Sequence, residues 1–76
     1  MQDETPFLPA LYWEATFEIV LTLMDVYPDI DVEQVGYEQL YRMIVALPNF
    51  ADDPELVNDG ILRAILREWF EEKNPL

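Results

Sequence analysis

The sequence has 76 residues, enough for one small domain, and 51% of them are hydrophobic, so the chain can form a core. Sixteen Asp and Glu residues oppose four Lys and Arg residues, and the resulting net charge of −12 disfavours nucleic acid and anionic membranes and favours cationic partners. The chain has no Cys and no His, which excludes disulfides, thiolate or imidazole metal ligands, and catalysis by either residue.

The first predicted element is an extended lead-in over residues 1–12, where two prolines in the first nine residues disfavour a helix. A first helix is predicted over residues 13–27, because Glu14, Glu18, Thr22 and Asp25 recur on one face at helical spacing. The remaining apolar surface is too wide for one small core. We therefore expect Leu21 to stay exposed, as a contact patch or as a dimer surface.

The rest of the chain predicts two further helices. Residues 28–36 alternate apolar and polar positions, which indicates a turn with a short strand-like or one-turn piece. A second helix is predicted over residues 37–47, and the clearest amphipathic pattern gives a third over residues 61–70. Asn58 is its predicted N-cap, although Asp53 before Pro54 offers a rival start one turn earlier. The prediction is a mainly α, compact three-helix domain with at most a short strand or hairpin element.

The acidic segment at residues 49–60 raises the question of a metal site. With Gly60 as the sixth position of a calcium loop, the third and twelfth positions would be Val57 and Leu66, which cannot bind calcium. A weaker prediction is a shallow oxygen site for a hard cation such as iron, manganese or calcium. Its candidate ligands are Asp52, Asp53, Glu55 and Asp59.

The alternative for the same segment is structural. Short polar side chains favour helix caps and turns for backbone reasons alone, so Asp53, Asn58 and Asp59 would cap a helix while Asp52 and Glu55 are solvated. Catalysis has little support, because only carboxylates and tyrosines could act as acid or base in a chain too short for a deep cleft. Without a leader or a membrane span, the prediction is a non-enzymatic, soluble cytoplasmic protein.

Two blocks of the sequence resemble the IscX family, also called YfhJ, of small acidic accessory proteins in bacterial iron-sulfur cluster assembly. They are Tyr-Pro-Asp-Ile-Asp at residues 27–31 and Phe-Ala-Asp-Asp-Pro at residues 50–54, in register with the helix that carries Trp69. The match runs without gaps over residues 13–72. It leaves residues 1–12 as the lead-in and residues 73–76 as a C-terminal tail.

The resemblance implies a domain related to winged helices, whose acidic face binds the cysteine desulfurase in competition with frataxin and so regulates sulfur transfer. It also implies weak iron binding, with no cofactor required. The partner-binding residues carried over by position are Glu18, Asp25, Asp29, Asp31, Asp52, Asp53, Glu71 and Glu72. Asp59 matches a further acidic position of the family.

Departures from the family pattern weaken the iron inference more than the partner inference. The chain has non-acidic residues at positions where family members are usually acidic, namely Ala46, Pro48, Asn49, Ala51 and Arg63. Two alternatives remain. One is a generic acidic interaction domain that self-associates through the first helix and has no metal role. The other is a nucleic-acid module, suggested by the winged-helix likeness and opposed by the charge.

Overall fold

The computed structural model describes residues 9–74, so the predicted lead-in up to residue 8 and the last two residues of the tail lie outside it. It contains three α-helices joined by two 3₁₀ turns. The helices are α1 (Thr16–Val26), α2 (Tyr37–Val45) and α3 (Asp59–Lys73), and the turns are Val32–Gln34 and Pro54–Leu56. No strand occurs within residues 9–74, where an isolated parallel bridge joins Leu11 to Phe50. The predicted mainly α, three-helix fold is confirmed, whereas the relation to winged helices stays a prediction.

The start of α1 differs from its prediction. The apolar pattern extends the helix back to residue 13, but α1 begins at Thr16, after a turn in which the Ala15 N–H donates to the Tyr12 carbonyl. The reason is Trp13, which is only 3% exposed and is held by contacts outside the helix. Ala15 offers no side-chain cap, so α1 depends on its packing for stability.

Short polar side chains cap the first turn of three of the remaining four elements. Asp31 and Asp53 each accept a hydrogen bond from the backbone N–H two residues on, and so start the two 3₁₀ turns. The Asn58 side chain accepts from the Ile61 N–H at 2.9 Å, which confirms the predicted N-cap of α3. The rival start at Asp53 begins its own 3₁₀ turn instead of α3.

The core lies between the three helices. Each helix contributes one buried face, and Leu11 and Trp13 join this core from before α1. The helical members are Ile19, Val20 and Leu23 of α1, Leu40, Met43 and Ile44 of α2, and Leu62, Ile65 and Trp69 of α3. Within the described part of the chain, no polar or charged residue is buried. Nor does that part contain a helix long and apolar enough to cross a membrane.

Helices α1 and α3 run side by side in the same direction. Just before α1, the indole N–H of Trp13 donates to the carbonyl of Asp53, in the segment that leads into α3. At the other end, the Lys73 ammonium of α3 donates to the carbonyl of Ile30, four residues after α1. The C-termini of both helices therefore lie at the same end of the domain.

Candidate partner-binding surface

The surface of the domain carries a large excess of exposed carboxylates. Every Asp and Glu within residues 9–74 is exposed except Asp52 and Glu68, which are half-buried. Two of the four cations are matched on their own helices, because Arg42 pairs with Glu38 at 2.6 Å and Arg67 pairs with Glu71 at 3.4 Å. These exposed pairs add little stability, and they leave most of the negative charge without an opposite charge on the same helix.

Five of the predicted partner-binding residues lie at the end of the domain where α1 and α3 finish. Asp25 is in the last turn of α1, Asp29 and Asp31 follow it in the chain, and Glu71 and Glu72 are in the last turn of α3. We call these five residues the C-terminal acidic end. The partial negative charges of two parallel helix C-termini add to the five carboxylates, so negative potential concentrates there.

Asp52 and Asp53 lie at the opposite end and contact the segment before α1. The Leu11 N–H donates to the Asn49 carbonyl, and the Ala51 N–H donates to the Leu11 carbonyl, both at 2.9 Å. In a continued parallel ladder, the next donor, the N–H of Trp13, would bind the carbonyl of Ala51. It binds the Asp52 carboxylate instead, at 2.9 Å, and so the ladder ends.

Both carboxylates of this pair therefore hold backbone groups. The second oxygen of Asp52 accepts from the Asp53 N–H at 2.7 Å, while the Asp53 carboxylate accepts from the Glu55 N–H at 3.0 Å. In addition, the indole N–H of Trp13 donates to the backbone carbonyl of Asp53 at 2.8 Å. Asp52 and Asp53 thus have a structural role that the sequence did not reveal for Asp52.

The Trp13 ring completes this arrangement. Its centroid lies 5.0 Å from that of Phe50 in an edge-on contact and 6.2 Å from that of Tyr41 in a stacked contact. Aromatic pairs at such distances stabilise beyond their buried area. No motif in the sequence indicated this cluster, because the Trp of the family resemblance is Trp69 and not Trp13.

The last partner-binding candidate, Glu18, is exposed on α1. It lies between the C-terminal acidic end and the group formed by Asp52 and Asp53. α1 has 11 residues, and its rise of about 1.5 Å per residue separates the two ends by roughly 16 Å. Glu18 thus extends the acidic surface along α1, and Glu14 extends it to the turn before this helix. The predicted set forms two groups joined by this helix, and not one compact cluster.

The four predicted metal ligands do not form a preformed metal site. Within residues 9–74, no group of three or more Asp or Glu side chains is placed to hold a metal ion. The carboxylates of Asp52 and Asp53 already accept from backbone N–H groups, while Glu55 and Asp59 are exposed to solvent. Iron binding by Asp52, Asp53, Glu55 and Asp59 stays a prediction.

One carboxyl of α3 has a perturbed pKa. A side-chain hydrogen bond with Glu72 raises the pKa of Glu68 above its ordinary value of 4.5, and partial desolvation and the nearby charges of Glu72 and Glu71 act in the same direction. The pair is four residues apart on one helix, where like charges repel. The end of α3 therefore takes up a proton more readily than an isolated glutamate would.

Comparison with known proteins covers nearly all of the described residues. A family model described as iron-sulphur cluster assembly matches residues 11–74. An uncharacterized protein of Pseudomonas aeruginosa is 35% identical over 65 residues, which cover 86% of this chain and 98% of that protein. The family match begins at Leu11, which is only 1% exposed.

Proposed function

Since the chain belongs to the iron-sulphur cluster assembly family, which includes IscX, we propose that it is a non-enzymatic acidic adaptor that binds the cysteine desulfurase and regulates cluster assembly. The observation that carries this proposal is the C-terminal acidic end, where five exposed carboxylates meet two helix C-termini. A basic patch on a partner would find its strongest attraction there.

The form of the surface supports binding to a protein over binding to a small molecule. The carboxylates are exposed and spread along α1, which suits a broad, charged contact and does not enclose a ligand. A domain of net charge −12 approaches a cationic surface by long-range attraction, and salt weakens that attraction. Competition with frataxin follows if both proteins use the same basic patch of the desulfurase.

Some residues of the proposed contact set also have a structural role. Asp52 and Asp53 remain candidates for contact, but substituting Asp52 would also remove the acceptor for the Trp13 N–H and for the Asp53 N–H. Asp25, Asp29 and Glu72 are exposed and lie at the C-terminal acidic end, so their substitution tests binding more cleanly.

The proposal is tested by titration calorimetry with the host's cysteine desulfurase. The test variant combines Asp25→Asn, Asp29→Asn and Glu72→Gln, which lowers the net charge to about −9 and keeps side-chain size. We expect its affinity to fall roughly 10- to 100-fold, because each exposed charge contributes a modest part of the attraction. We also expect binding of the unmodified chain to weaken steeply with salt.

The matched control removes the same amount of charge elsewhere, by Glu38→Gln, Glu55→Gln and Asp59→Asn. Because these residues lie outside the proposed contact set, the control should bind nearly as tightly as the unmodified chain. Equal losses in both variants would show that only net charge matters. Affinity that neither variant nor salt changes would refute the proposed surface.

Weak iron binding is a separate proposal with its own test. Fe(II) or Fe(III) is titrated into the isotope-labelled chain while the backbone amide signals of residues 52–55 are followed. Selective perturbation of these signals near stoichiometric iron would support a site at Asp52, Asp53, Glu55 and Asp59. Unchanged signals would remove the iron proposal and leave the adaptor proposal intact.

A further inference from the structure

Helix α1 exposes two large apolar side chains beside its acidic residues. Phe17 and Leu21 are 47% and 46% exposed, and they lie one turn apart. The face that α1 buries is different and consists of Ile19, Val20 and Leu23. The half of each side chain that remains in water adds nothing to the core of this domain.

Carboxylates lie along one side of this pair. At about 100° per residue, Glu18 and Asp25 fall within roughly 60° of Leu21 around the helix axis, and Glu14 lies in the turn before α1. All three are exposed. The surface therefore has an apolar pair with acidic residues along one side, which suits an interface whose apolar part is desolvated while its charges pair at the rim.

We propose that Phe17 and Leu21 anchor the domain in an apolar recess of a partner protein, with Lys and Arg residues around that recess facing Glu14, Glu18 and Asp25. The proposal rests on the function proposed above, because it takes the cysteine desulfurase as that partner. Along the axis of α1 the pair lies between Asp52 and Asp53 at one end of the domain and the C-terminal acidic end at the other, and Glu18 and Asp25 lie beside it.

Charge complementarity argues against a second copy of this chain as the occupant. Two copies meeting through α1 would bring Glu14, Glu18 and Asp25 of each toward the same acids of the other, and each copy has a net charge of −12. Like charges around a desolvated centre oppose association. A basic partner converts the same carboxylates into favourable pairs.

The test compares two variants of α1 in calorimetric titrations with the host's desulfurase. The first carries Phe17→Ser and Leu21→Ser. The control carries Val26→Ser, since Val26 is 44% exposed on the same helix but faces about 140° away from Leu21. We expect the double variant to bind about 30-fold more weakly, because half of two large side chains is no longer buried, and the control to stay within about twofold.

Single-cysteine variants provide a second readout that needs no loss of binding. Because the chain has no cysteine of its own, Leu21→Cys and Val26→Cys each introduce one thiol. The desulfurase should slow alkylation of the thiol at position 21, followed by the mass of this chain, and leave the thiol at position 26 nearly unaffected. The free chain at low concentration should react rapidly at both positions.

The outcomes separate the two proposals. If the unmodified chain does not bind the desulfurase, both the proposed function and this inference fail. If it binds, but the double variant binds equally well and position 21 is not protected, this inference alone fails. Protection of position 21 in the free chain would place another part of the chain, or a second copy, on Leu21 and would also overturn it; sedimentation distinguishes the two.

Discussion

Replacing Asp52 by alanine should destabilise the domain far more than replacing any other carboxylate of the acidic segment at residues 49–60. The change removes the acceptor for two backbone N–H groups, those of Trp13 at 2.9 Å and Asp53 at 2.7 Å. A hydrogen bond to a charged group contributes about 1.5–3 kcal/mol when the donor is shielded from water. The bond to Trp13 is partly buried, while the bond to Asp53 is exposed and contributes less.

The expected loss is therefore about 2–4 kcal/mol. For a chain of this length the whole free energy of unfolding is roughly 4–11 kcal/mol, so the loss is a large fraction of the total. It should lower the melting temperature by roughly 10–20 °C. Urea unfolding followed by far-ultraviolet circular dichroism measures the free energy directly. Tryptophan fluorescence reports whether the environment of the buried Trp13 and Trp69 survives.

Two control variants separate the hydrogen bonds of Asp52 from its charge. Asp59→Ala removes an exposed carboxylate from the first turn of α3 and should cost less than about 1 kcal/mol. Asp52→Asn keeps one acceptor oxygen and should lie between the unmodified chain and Asp52→Ala. If Asp52→Ala and Asp59→Ala cost the same, the carboxylate does not hold Trp13 in the way described.

Three further predictions concern the helices. Leu23→Ala leaves a cavity at a fully buried position of α1 and should lower the free energy of unfolding, measured in urea, by about 2–5 kcal/mol. Asn58→Ala removes the cap of α3 and should lower the free energy of unfolding by about 1 kcal/mol, whereas Asn58→Asp should keep most of the cap's stabilisation. Equal losses of stability in the two variants would contradict the capping role. Because the folded chain binds a proton at Glu68 more tightly than the unfolded chain, the unmodified chain should gain stability relative to Glu68→Gln as pH falls from neutral toward 4.5. At neutral pH Glu68→Gln should have the higher melting temperature, since repulsion by Glu72 is relieved, and a difference independent of pH would refute the shared proton.

The parts of the fold that depend on neighbours in sequence were predictable. Helical spacing located all three helices, and Asn58 and Asp53 were recognised because a cap binds a backbone group two or three residues away. The exposure of Leu21 followed from an apolar face too wide for a core of this size. Each of these inferences used only local geometry and composition.

What the sequence could not predict depends on contacts between distant segments. The N–H of Trp13 lies 39 residues from Asp52 along the chain, and no periodic pattern reveals that pairing. The same contact explains why α1 starts at Thr16, after the Trp13 side chain has entered the core. The parallel arrangement of α1 and α3, which brings five carboxylates to one end, likewise arises from packing between segments far apart in sequence.

The ladder between residues 9–13 and 49–53 also determines the order in which the domain can be completed. Closing a loop of about 40 residues costs chain entropy before any bond in the ladder forms. While the chain is being synthesised, Leu11 and Trp13 emerge early but find no hydrogen-bond partners until residues 49–53 have followed. Helix α1, which has no side-chain cap, cannot be secured at its first turn before then. The segment before α1 thus acquires these hydrogen bonds only once residues 49–53 have been made.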